Sequence, residues 1–317
     1  MARPTGGGYA RGVPDRDQRL LLLDAASLYF RAYFGVPETT TAPDGTPVNA
    51  VRGFIDMIAF LVGRERPTNL VACMDADWRP AFRVAAVPSY KTHRLAPDGT
   101  LEIVPDTLVP QIPIIEEVLA AVGIAAVGSP GYEADDVLGT LSAHATMPTD
   151  VVTGDRDLFQ VVDDARAVRV LYTGRGVRNL EVVDEVFIEK KYGIPGHAYA
   201  DFATLRGDPS DGLPGVPGVG EKTAASLIAG YGSIDGLLAA LDDPQSGLAP
   251  GIRRKLADAR DYLLVAPAVV RVATDAPLPT YDDTRPAAPA DPEALVELAD
   301  RWNLDSPLNR LLTALAR

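Results

Sequence analysis

Short apolar runs that alternate with helix-like segments constrain this 317-residue chain more than any other feature. RLLLLDA at 19–25 and NLVACMDA at 69–76 are strand-like, as are DVVTGD at 150–155 and AVRVLYT at 167–173. Helix-like stretches lie between them, such as PQIPIIEEVLAAVG, which stops at Gly123. Strands that alternate with helices typically build a largely parallel sheet with helices on both faces. The sequence therefore predicts an α/β fold.

Acidic residues occupy the positions where these strand-like runs end. Asp24 and Asp75 end the first two runs, and Asp155 with Asp157 follows the third. In open α/β sheets, ligands bind at the carboxyl ends of the strands. A single Asp at such a place is ordinary turn or helix-cap chemistry. Three strand ends together predict that distant acids converge at one edge of the sheet.

The segment GYEADDV at 131–137 places Glu133, Asp135 and Asp136 within four consecutive positions. Two explanations are open at this point. Either the acids form the first turn of a helix, where the macrodipole favours each by about 0.3–1 kcal/mol, or a bound cation offsets their repulsion. A set of carboxylates with no cluster of His or Cys is typical of a site for Mg²⁺ or Mn²⁺ and not of a site for Zn²⁺.

The second half of the chain is helix-rich from about residue 193 and contains GDPSDGLPGVPGVGEKTA at 207–224. This segment adds Asp208 and Asp211 and then has the form of a helix-hairpin-helix element. Backbone N–H groups at such a glycine turn bind a phosphate without reading the base; a plain Gly-Pro turn is the alternative. The Pro-rich residues 276–291 predict an extended linker before a helix capped by Asp291.

The net charge of −13 argues against a surface that binds nucleic acid everywhere. Residues 79–97 nevertheless hold four cations and no acid, so they form a local positive strip or, alternatively, a solvated loop; the cations are Arg79, Arg83, Lys91 and Arg94. No apolar run approaches the roughly 18 residues of a membrane helix. The one cysteine, Cys73, lies in an apolar run. A cytoplasmic protein with a flexible tail at 1–17 is expected.

Six segments of the chain occur in the same order as in a known protein family. They are LLLDAASLYFRAYF, MDADW, SYKTHR, GYEADDVLGTLS, VVTGDRDLFQVV and GDPSDGLPGVPGVGEKTA. With these segments, from about residue 19 to 275, the chain resembles the 5′ nucleases, which are the flap endonucleases and the 5′-exonuclease domains of bacterial DNA polymerase I. The resemblance implies a PIN-like, mostly parallel sheet flanked by helices, a helical arch, and a C-terminal helix-hairpin-helix (H3TH) subdomain.

The resemblance also implies a domain organisation. A tail at 1–17 would precede a PIN-like nuclease domain at 18–192, with the arch at about 79–105. An H3TH DNA-binding subdomain would follow at 193–275, and a Pro-rich linker with C-terminal helices at 276–317. Nothing after residue 280 resembles a polymerase, so we expect a free-standing, bacterial-type nuclease that is monomeric.

In this family, carboxylates hold divalent ions at the carboxyl edge of the sheet, and the resemblance implies two or more Mg²⁺ or Mn²⁺ ions here. One group of ligands would be Asp24, Asp75, Glu133 and Asp135. The remaining ligands would be Asp136, Asp155, Asp157, Asp208 and Asp211. Paired ions ionise a water and stabilise the leaving oxygen of a phosphodiester. The residues expected to take part in catalysis are Asp24, Arg31, Arg83 and Lys91.

Basic and aromatic residues receive DNA-binding roles from the same resemblance. Arg31 would lie near the scissile strand, with a helix-surface ion pair as the alternative. Arg83 would contact a phosphate, Tyr90 would stack on a base, and Lys91 and Arg94 would belong to the arch. The expected duplex contacts of the hairpin are Gly215, Gly218, Gly220, Lys222 and Thr223.

Two positions depart from the family pattern. Met74 stands where Phe is usual, which a buried strand tolerates. Gly212 replaces a common Asn and is expected to loosen the loop that carries Asp208 and Asp211.

The function that follows is a 5′-3′ exonuclease and flap endonuclease that hydrolyses phosphodiesters at 5′ ends and 5′ flaps of branched duplex DNA. It would serve replication and repair, including RNA primer removal, with branched or 5′-ended duplex DNA and RNA-primed DNA as partners and no membrane. A structure-specific DNA-binding protein without catalysis is one alternative, and a PIN-type ribonuclease is another. The nine acids favour an enzyme, and the hairpin and the positive strip would have no role in the ribonuclease.

Overall fold

The strands of the chain lie in the N-terminal two thirds. The computed structural model describes residues 18–97, 99 and 102–317, and the tail predicted at 1–17 lies outside them. The strands in these residues are β1 (Leu20–Asp24), β2 (Asn69–Cys73), β3 (Ala125–Val127), β4 (Thr149–Thr153), β5 (Val168–Tyr172) and β6 (Glu181–Val183).

These strands form one sheet in the order β3-β2-β1-β4-β5-β6. The first five strands are parallel, and only β6 at the edge runs antiparallel, to β5. The chain moves from β1 to β2 on one side and later returns to place β4 on the other side. Connections that diverge in this way open a crevice above the carboxyl ends of the central strands. The predicted α/β fold is confirmed.

The four leucines of β1 explain why its sequence is apolar throughout. Leu20 and Leu22 belong to the core on one face of the sheet, and Leu21 and Leu23 to the core on the other. Successive side chains of a strand point to opposite faces. A strand that is covered by helices on both faces must therefore be apolar at every position.

Helices cover both faces of the sheet and form most of the C-terminal third. Those in the first half of the chain are α1 (Ala25–Gly35), α2 (Asn49–Glu65), α3 (Ala81–Ala86), α4 (Gln111–Val122) and α5 (Ala134–His144). Those that follow are α6 (Glu185–Tyr192), α7 (Tyr199–Arg206), α8 (Glu221–Tyr231), α9 (Ile234–Asp242), α10 (Pro250–Asp258), α11 (Arg260–Val265), α12 (Pro267–Val270), α13 (Pro292–Trp302) and α14 (Asp305–Leu315).

Two predicted helix boundaries are confirmed with their causes. Gly123 ends α4 at φ +91°, and its N–H donates to the carbonyl of Leu119. Only glycine adopts that left-handed conformation without strain. Asp291 caps α13 by accepting a hydrogen bond from the N–H of Ala294 at 3.0 Å.

The Pro-rich segment 276–291 is extended, as predicted, but it is also docked against the sheet. The N–H of Leu70 donates to the carbonyl of Asp283 at 2.7 Å, and the N–H of Arg285 donates to Thr68 at 2.9 Å. The segment delivers α13 and α14 to the face of the sheet that carries α1, α2 and α4. It therefore fixes the C-terminal helices to that face of the sheet.

The segment predicted as the arch, at about 79–105, contains α3 and a 3-10 turn at Thr92–Arg94 among its described residues. No single helix in the described part of the chain has both the length and the apolar composition of a membrane span. The bent pair formed by α8 and α9 meets those two criteria together, with 77° between its helices.

Candidate metal centre and DNA interface

A cleft of about 410 Å³ opens above the carboxyl ends of β1 and β4. Six of the predicted metal ligands line it, namely Asp24, Asp75, Glu133, Asp135, Asp155 and Asp208. The positive strip reaches the same cleft through Lys91 and Arg94. The fold thus brings together acids from five separate segments of the chain and cations from a sixth.

Asp24 stands at the junction of β1 and α1. Its carboxylate caps α1 by accepting from the N–H of Ser27 at 3.0 Å, and it accepts from Oγ1 of Thr153 at 2.6 Å. Burial raises the pKa of Asp24 to about 7, with a further contribution from the charges of Asp75 and Asp155. Because burial disfavours the charged form of this carboxylate, a bound cation would stabilise that form.

Asp75 and Asp135 complete this side of the cleft. The N–H of Ala134, at the start of α5, donates to Oδ1 of Asp75 at 2.7 Å. Asp75 is open to the cleft, yet desolvation by the protein atoms around it raises its pKa. Burial, and then the charges of Asp155 and Asp24, raise the pKa of Asp135 well above its usual value.

Glu133 is both a helix cap and a member of the cleft. It forms a capping box with Asp136 at the start of α5. Its carboxylate accepts from Nζ of Lys91 at 2.5 Å and from the hydroxyl of Tyr90 at 2.8 Å. Burial raises its pKa to about 7, although Lys91 and Arg83 act in the opposite direction. The helix-cap explanation of the acid cluster is confirmed for Glu133 and Asp136. Asp135 faces the cleft, and the bound-cation explanation stays a prediction.

A second group of acids comes from β4 and from the loop after α7. Asp155 accepts from the N–H of Asp157 at 2.8 Å, and Asp208 accepts from the N–H of Ser210 at 2.8 Å. Arg94 donates to Asp211 at 2.9 Å. Oδ1 of Asp157 is buried without a hydrogen-bond partner among the described residues. Burial and the charge of Asp155 raise the pKa of Asp157 well above its usual value.

Two expectations are wrong for the pair Arg83 and Asp136. Arg83 is 2% exposed and donates to both oxygens of Asp136 at 2.7 Å, to Glu133 at 2.8 Å and to the carbonyl of Val269 at 2.9 Å. A buried, fully paired guanidinium cannot contact a phosphate. Asp136 is fully buried and also accepts from the N–H of Ala273, so it is not available as a metal ligand.

The expectation for Tyr90 is wrong for the same reason. Its side chain is 2% exposed and its hydroxyl donates to Glu133, so no face of the ring is free for a base. Lys91 and Arg94 do face the cleft, and their role in an arch stays a prediction. Arg31 packs beside Gly154 close to the cleft, and its Nε is buried without a partner among the described residues.

One residue in the cleft and one beside its acids were not anticipated. Glu102 lines the cleft, and burial raises the pKa of its carboxyl. Arg206 lies beside the second group of acids, with Nη2 at 3.7 Å from Asp157 and 3.9 Å from Asp208. In the sequence, the indication of a role for Arg206 was its position directly before the GDPSD segment. No motif indicated Glu102, which is paired with Leu95 of the strip through an isolated antiparallel bridge.

The glycine turn before α8 has two positions that require glycine. Gly215 has φ +63°, and a Cβ there would lie 2.6 Å from the carbonyl oxygen of Arg206. Gly218 has φ +73°, and a Cβ there would lie 2.8 Å from Nζ of Lys255, which donates to the carbonyl of Gly218. Gly215 is buried, so the expectation that it contacts a duplex directly is wrong; it shapes the turn from within.

The outer part of the turn is available to a ligand. Gly218, Gly220 and Lys222 are exposed, and Thr223 is half-buried. Gly220 precedes α8, and no side chain of the described residues caps that helix start. Its first N–H groups therefore have no capping side chain among those residues, which leaves them available to a phosphate.

Gly212 does not loosen its loop, contrary to expectation. It has φ +71°, and a Cβ there would lie 2.3 Å from the carbonyl oxygen of Ser89. The hydroxyl of Ser89 donates to the carbonyl of Gly212 at 2.9 Å, and the N–H of Lys91 donates to Asp211. Glycine thus permits a close contact that joins the loop to the positive strip.

The donor set fits divalent ions that take oxygen ligands. In the described part of the chain, however, no three Asp, Glu, His or Cys side chains already lie close enough together to hold one ion. All donors are carboxylates, and one buried carboxylate oxygen, on Asp157, lacks a partner among those residues. Burial first, and the charges of neighbouring acids second, raise the pKa of Asp24, Asp135 and Asp157, and a bound cation would oppose that shift.

Comparisons with family models and sequences agree over nearly the whole chain. Residues 19–193 match the model described as 5′-3′ exonuclease, N-terminal resolvase-like domain, and residues 194–293 match the 5′-3′ exonuclease, C-terminal SAM fold. A 5′-3′ exonuclease of Streptomyces coelicolor is 61% identical, with 93% of this chain and 99% of that protein covered. A 5′-3′ exonuclease of Mycobacterium tuberculosis is 54% identical, with 93% and 97% covered.

Longer proteins and solved structures show the same region. DNA polymerase I of Mycobacterium bovis is 39% identical over 94% of this chain, which spans 32% of that protein. The T5 5′-exonuclease with divalent metal ions (zinc) has a TM-score of 0.62 at 15% identity, with 94% and 98% covered. The catalytic core of Rad2 in complex with DNA substrate has a TM-score of 0.59 at 18% identity, with 94% and 92% covered. At these identities the structures establish the fold.

Proposed function

The chain belongs to the 5′-3′ exonuclease family, and from this premise we propose that it is a divalent-metal-dependent 5′ nuclease. It would hydrolyse phosphodiesters at 5′ ends and at 5′ flaps of branched duplex DNA. One observation carries the proposal: the acid-lined cleft at the carboxyl edge of the sheet, with cations at its mouth. A DNA-binding protein without catalysis would have no use for carboxylates gathered in such a cleft.

The cleft acids are the proposed ligands of two or more Mg²⁺ or Mn²⁺ ions. Asp24, Asp75, Asp135 and Asp155 have no cationic partner among the described residues, and Glu133 borders them. The second group is made of Asp155, Asp157, Asp208 and Asp211. When bound, such ions ionise a water and stabilise the leaving oxygen.

The remaining residues bind and orient the DNA in this proposal. Lys91 and Arg94 provide positive charge where a phosphate enters the cleft. Arg31 lies beside Gly154, where β4 ends, and we place it near the scissile strand. The exposed turn at Gly218 and Gly220, with Lys222, would hold the duplex by its backbone, without reading its sequence.

The same proposal covers the natural substrates of the protein and the cellular processes in which it acts. The polymerase relatives carry this region within a longer chain. We therefore propose 5′ flaps and RNA-primed DNA, which arise ahead of a polymerase, as the substrates in replication and repair. A nuclease domain at 18–192 and an H3TH subdomain at 193–275 would act together in one cytoplasmic monomer.

A 5′-flapped duplex labelled at the flap end tests the proposal. The duplex is incubated with the protein and Mg²⁺, Mn²⁺ or EDTA, and the released fragment is sized. We expect release only with a metal ion, and faster cleavage of the flap than of single-stranded RNA. Tight binding without cleavage under every metal would favour the DNA-binding protein, and preferred cleavage of the RNA would favour the ribonuclease.

A further inference from the structure

A groove of about 890 Å³ lies between α2, α14 and the turn that follows β5. The apolar part of its lining is formed by Ala59, Phe60 and Gly63 of α2 and by Ala314 of α14. The two helices approach closely here, and a Cβ at Gly63 would lie 3.9 Å from that of Ala314. Within the described chain, this α2–α14 groove shares no lining residue with the acid-lined cleft, so it is a separate feature of the surface.

Arginines dominate the polar part of the same lining. Four of them are present against one acidic residue, Asp56; they are Arg64, Arg178, Arg310 and Arg317. All four arginines are exposed. The groove therefore carries an excess of positive charge on a chain whose net charge is −13.

Neighbouring acids neutralise only part of this charge. Arg310 donates to both oxygens of Asp56, at 2.8 Å and 3.0 Å. Arg64 lies 2.9 Å from Glu65, but the carboxylate of Glu65 also lies 3.6 Å from Arg169. The acid inside the groove is thus taken by Arg310, and Arg64 shares its partner with another cation.

Arg178 is available to a ligand. It is exposed and forms no ion pair with any described residue. Its guanidinium lies 5.4 Å from the centre of the Phe60 ring, which lines the groove. A guanidinium over an aromatic ring keeps N–H donors at its edge for an anion. The groove therefore presents positive charge and apolar surface side by side.

This combination favours an acidic protein segment over a nucleic acid. A guanidinium pairs with a carboxylate in a planar, two-pronged geometry, and arginine and aromatic residues are enriched at protein interfaces. A phosphate backbone has no apolar side chain to place on α2, and Arg178 lies over the Phe60 ring, where a base would stack. Because the net negative charge of the chain repels an acidic partner elsewhere, the groove also determines where that partner docks.

We propose that the α2–α14 groove docks an acidic segment of a partner protein. Carboxylates of the segment pair with Arg64 and Arg178, and an apolar side chain between them packs against Phe60 and Gly63. The docked segment holds its protein beside the nuclease without entering the cleft. The inference goes beyond the proposed function and does not depend on it, since the groove and the cleft have separate linings.

Fluorescence anisotropy of a labelled peptide with the full chain tests the inference. The probe is a short fluorescein-labelled peptide of Glu, Asp and Leu, and its charge control has Gln and Asn in place of the acids. We expect only the acidic peptide to bind wild type, and the double variant Arg64→Ala, Arg178→Ala to bind it on the order of tenfold more weakly. Arg301→Ala is the matched control and should bind as wild type does, because Arg301 is exposed and lies 4.6 Å from the centre of the Trp302 ring, outside the groove.

Gly63→Leu tests the apolar part of the groove without a change of charge. An added Cβ at Gly63 has 3.9 Å to its neighbour on α14, so the position accepts a side chain, which then fills the groove. We expect a loss of peptide affinity similar to that of the double variant. Circular dichroism verifies folding, and both variants should cleave a 5′-flapped duplex as wild type does, because no residue of the cleft is changed.

Three results would overturn the inference. The first is the absence of saturable binding of the acidic peptide to wild type. The second is unchanged peptide affinity in the double variant or in a folded Gly63→Leu variant, since the peptide would then bind elsewhere. The third is weaker binding of a 5′-flapped duplex by the double variant in EDTA with no binding of the peptide, which would assign the groove to DNA phosphates.

Discussion

Arg83 joins three parts of the molecule through one side chain. It lies on α3, and its guanidinium donates to Glu133 and Asp136 at the start of α5 and to the carbonyl of Val269 on α12. Burying charges costs several kcal/mol each, which only complete pairing offsets. Because every partner is in place, Arg83 fixes Glu133 at the edge of the cleft without touching the substrate.

Replacing Arg83 should therefore destabilise the fold strongly. Arg83→Met leaves the fully buried Asp136 without its partner, so we expect a loss of about 3–5 kcal/mol in the free energy of unfolding. Urea denaturation measures it. The double variant Arg83→Met, Asp136→Leu removes the unpaired charge and should recover much of that loss. A double variant no more stable than Arg83→Met would contradict the assignment.

Asp135 should make the metal-free protein less stable as the pH rises. Its pKa is raised well above 3.8 by burial and by Asp155 and Asp24. Above 3.8 the unfolded chain releases a proton that the folded protein retains, so the folded state loses stability until its own pKa is passed. In EDTA, Asp135→Asn should raise the melting temperature by a few degrees at pH 8 and hardly at all near pH 4. An equal effect at both values would contradict this.

At the residue scale, the sequence predicts the acids at the strand ends well but not the pairing of the cations. Asp24 and Asp155 follow strands whose apolar pattern is unambiguous, so their convergence follows from the topology. Arg83 and Tyr90 were misassigned because their burial depends on distant residues such as Val269. Local sequence carries no information about such contacts.

At the scale of elements, the strip after β2 and the loop after α7 meet at the mouth of the cleft. Lys91→Ala and Arg94→Ala should each reduce cleavage and lower the slope of log affinity for DNA against log salt concentration by about 0.9, as expected for one phosphate contact. Lys190→Ala, an exposed cation on α6, is the control and should change neither. Unchanged turnover and slope in both strip variants would remove these residues from the interface.

The hairpin turn makes a separate prediction. Gly218→Ala would need a left-handed conformation at φ +73°, which strains the turn even if the nearby side chain of Lys255 moves away. A strain of about 1–2 kcal/mol corresponds to roughly 5–30-fold weaker binding of a duplex, measured by fluorescence anisotropy in EDTA. Gly230→Ala on α8 has open space around it and should bind as wild type does. Equal affinities in the two variants would show that the turn does not hold the duplex.

The sequence predicted the helix ends that depend on a single nearby residue, but it did not predict how distant segments dock against each other. The end of α4 at Gly123 and the cap of α13 at Asp291 depend on one residue each. The docking of segment 276–291 along β2 depends on backbone pairing with Asn69 and Leu70, which its Pro-rich composition does not reveal. Here too, the contacts that the sequence does not reveal are between residues far apart along the chain.

At the scale of the whole molecule, a net charge of −13 must be reconciled with binding a polyanion. Acids concentrate inside the cleft, and cations lie at its mouth and beside the hairpin. Divalent ions would neutralise the first set, and phosphates would meet the second. Affinity for DNA should accordingly be local and sensitive to salt.

The central claim is that the cleft carboxylates perform the hydrolysis of DNA, and Asp155 tests it most directly. Asp155 lines the cleft, follows β4 and has no cationic partner among the described residues. Single-turnover cleavage of a 5′-flapped duplex by Asp155→Ala, with Mg²⁺ and with binding and folding measured in parallel, is the decisive measurement. We predict at least about a 100-fold loss of rate with duplex binding retained. Full activity of this variant would contradict the assignment of the metal centre.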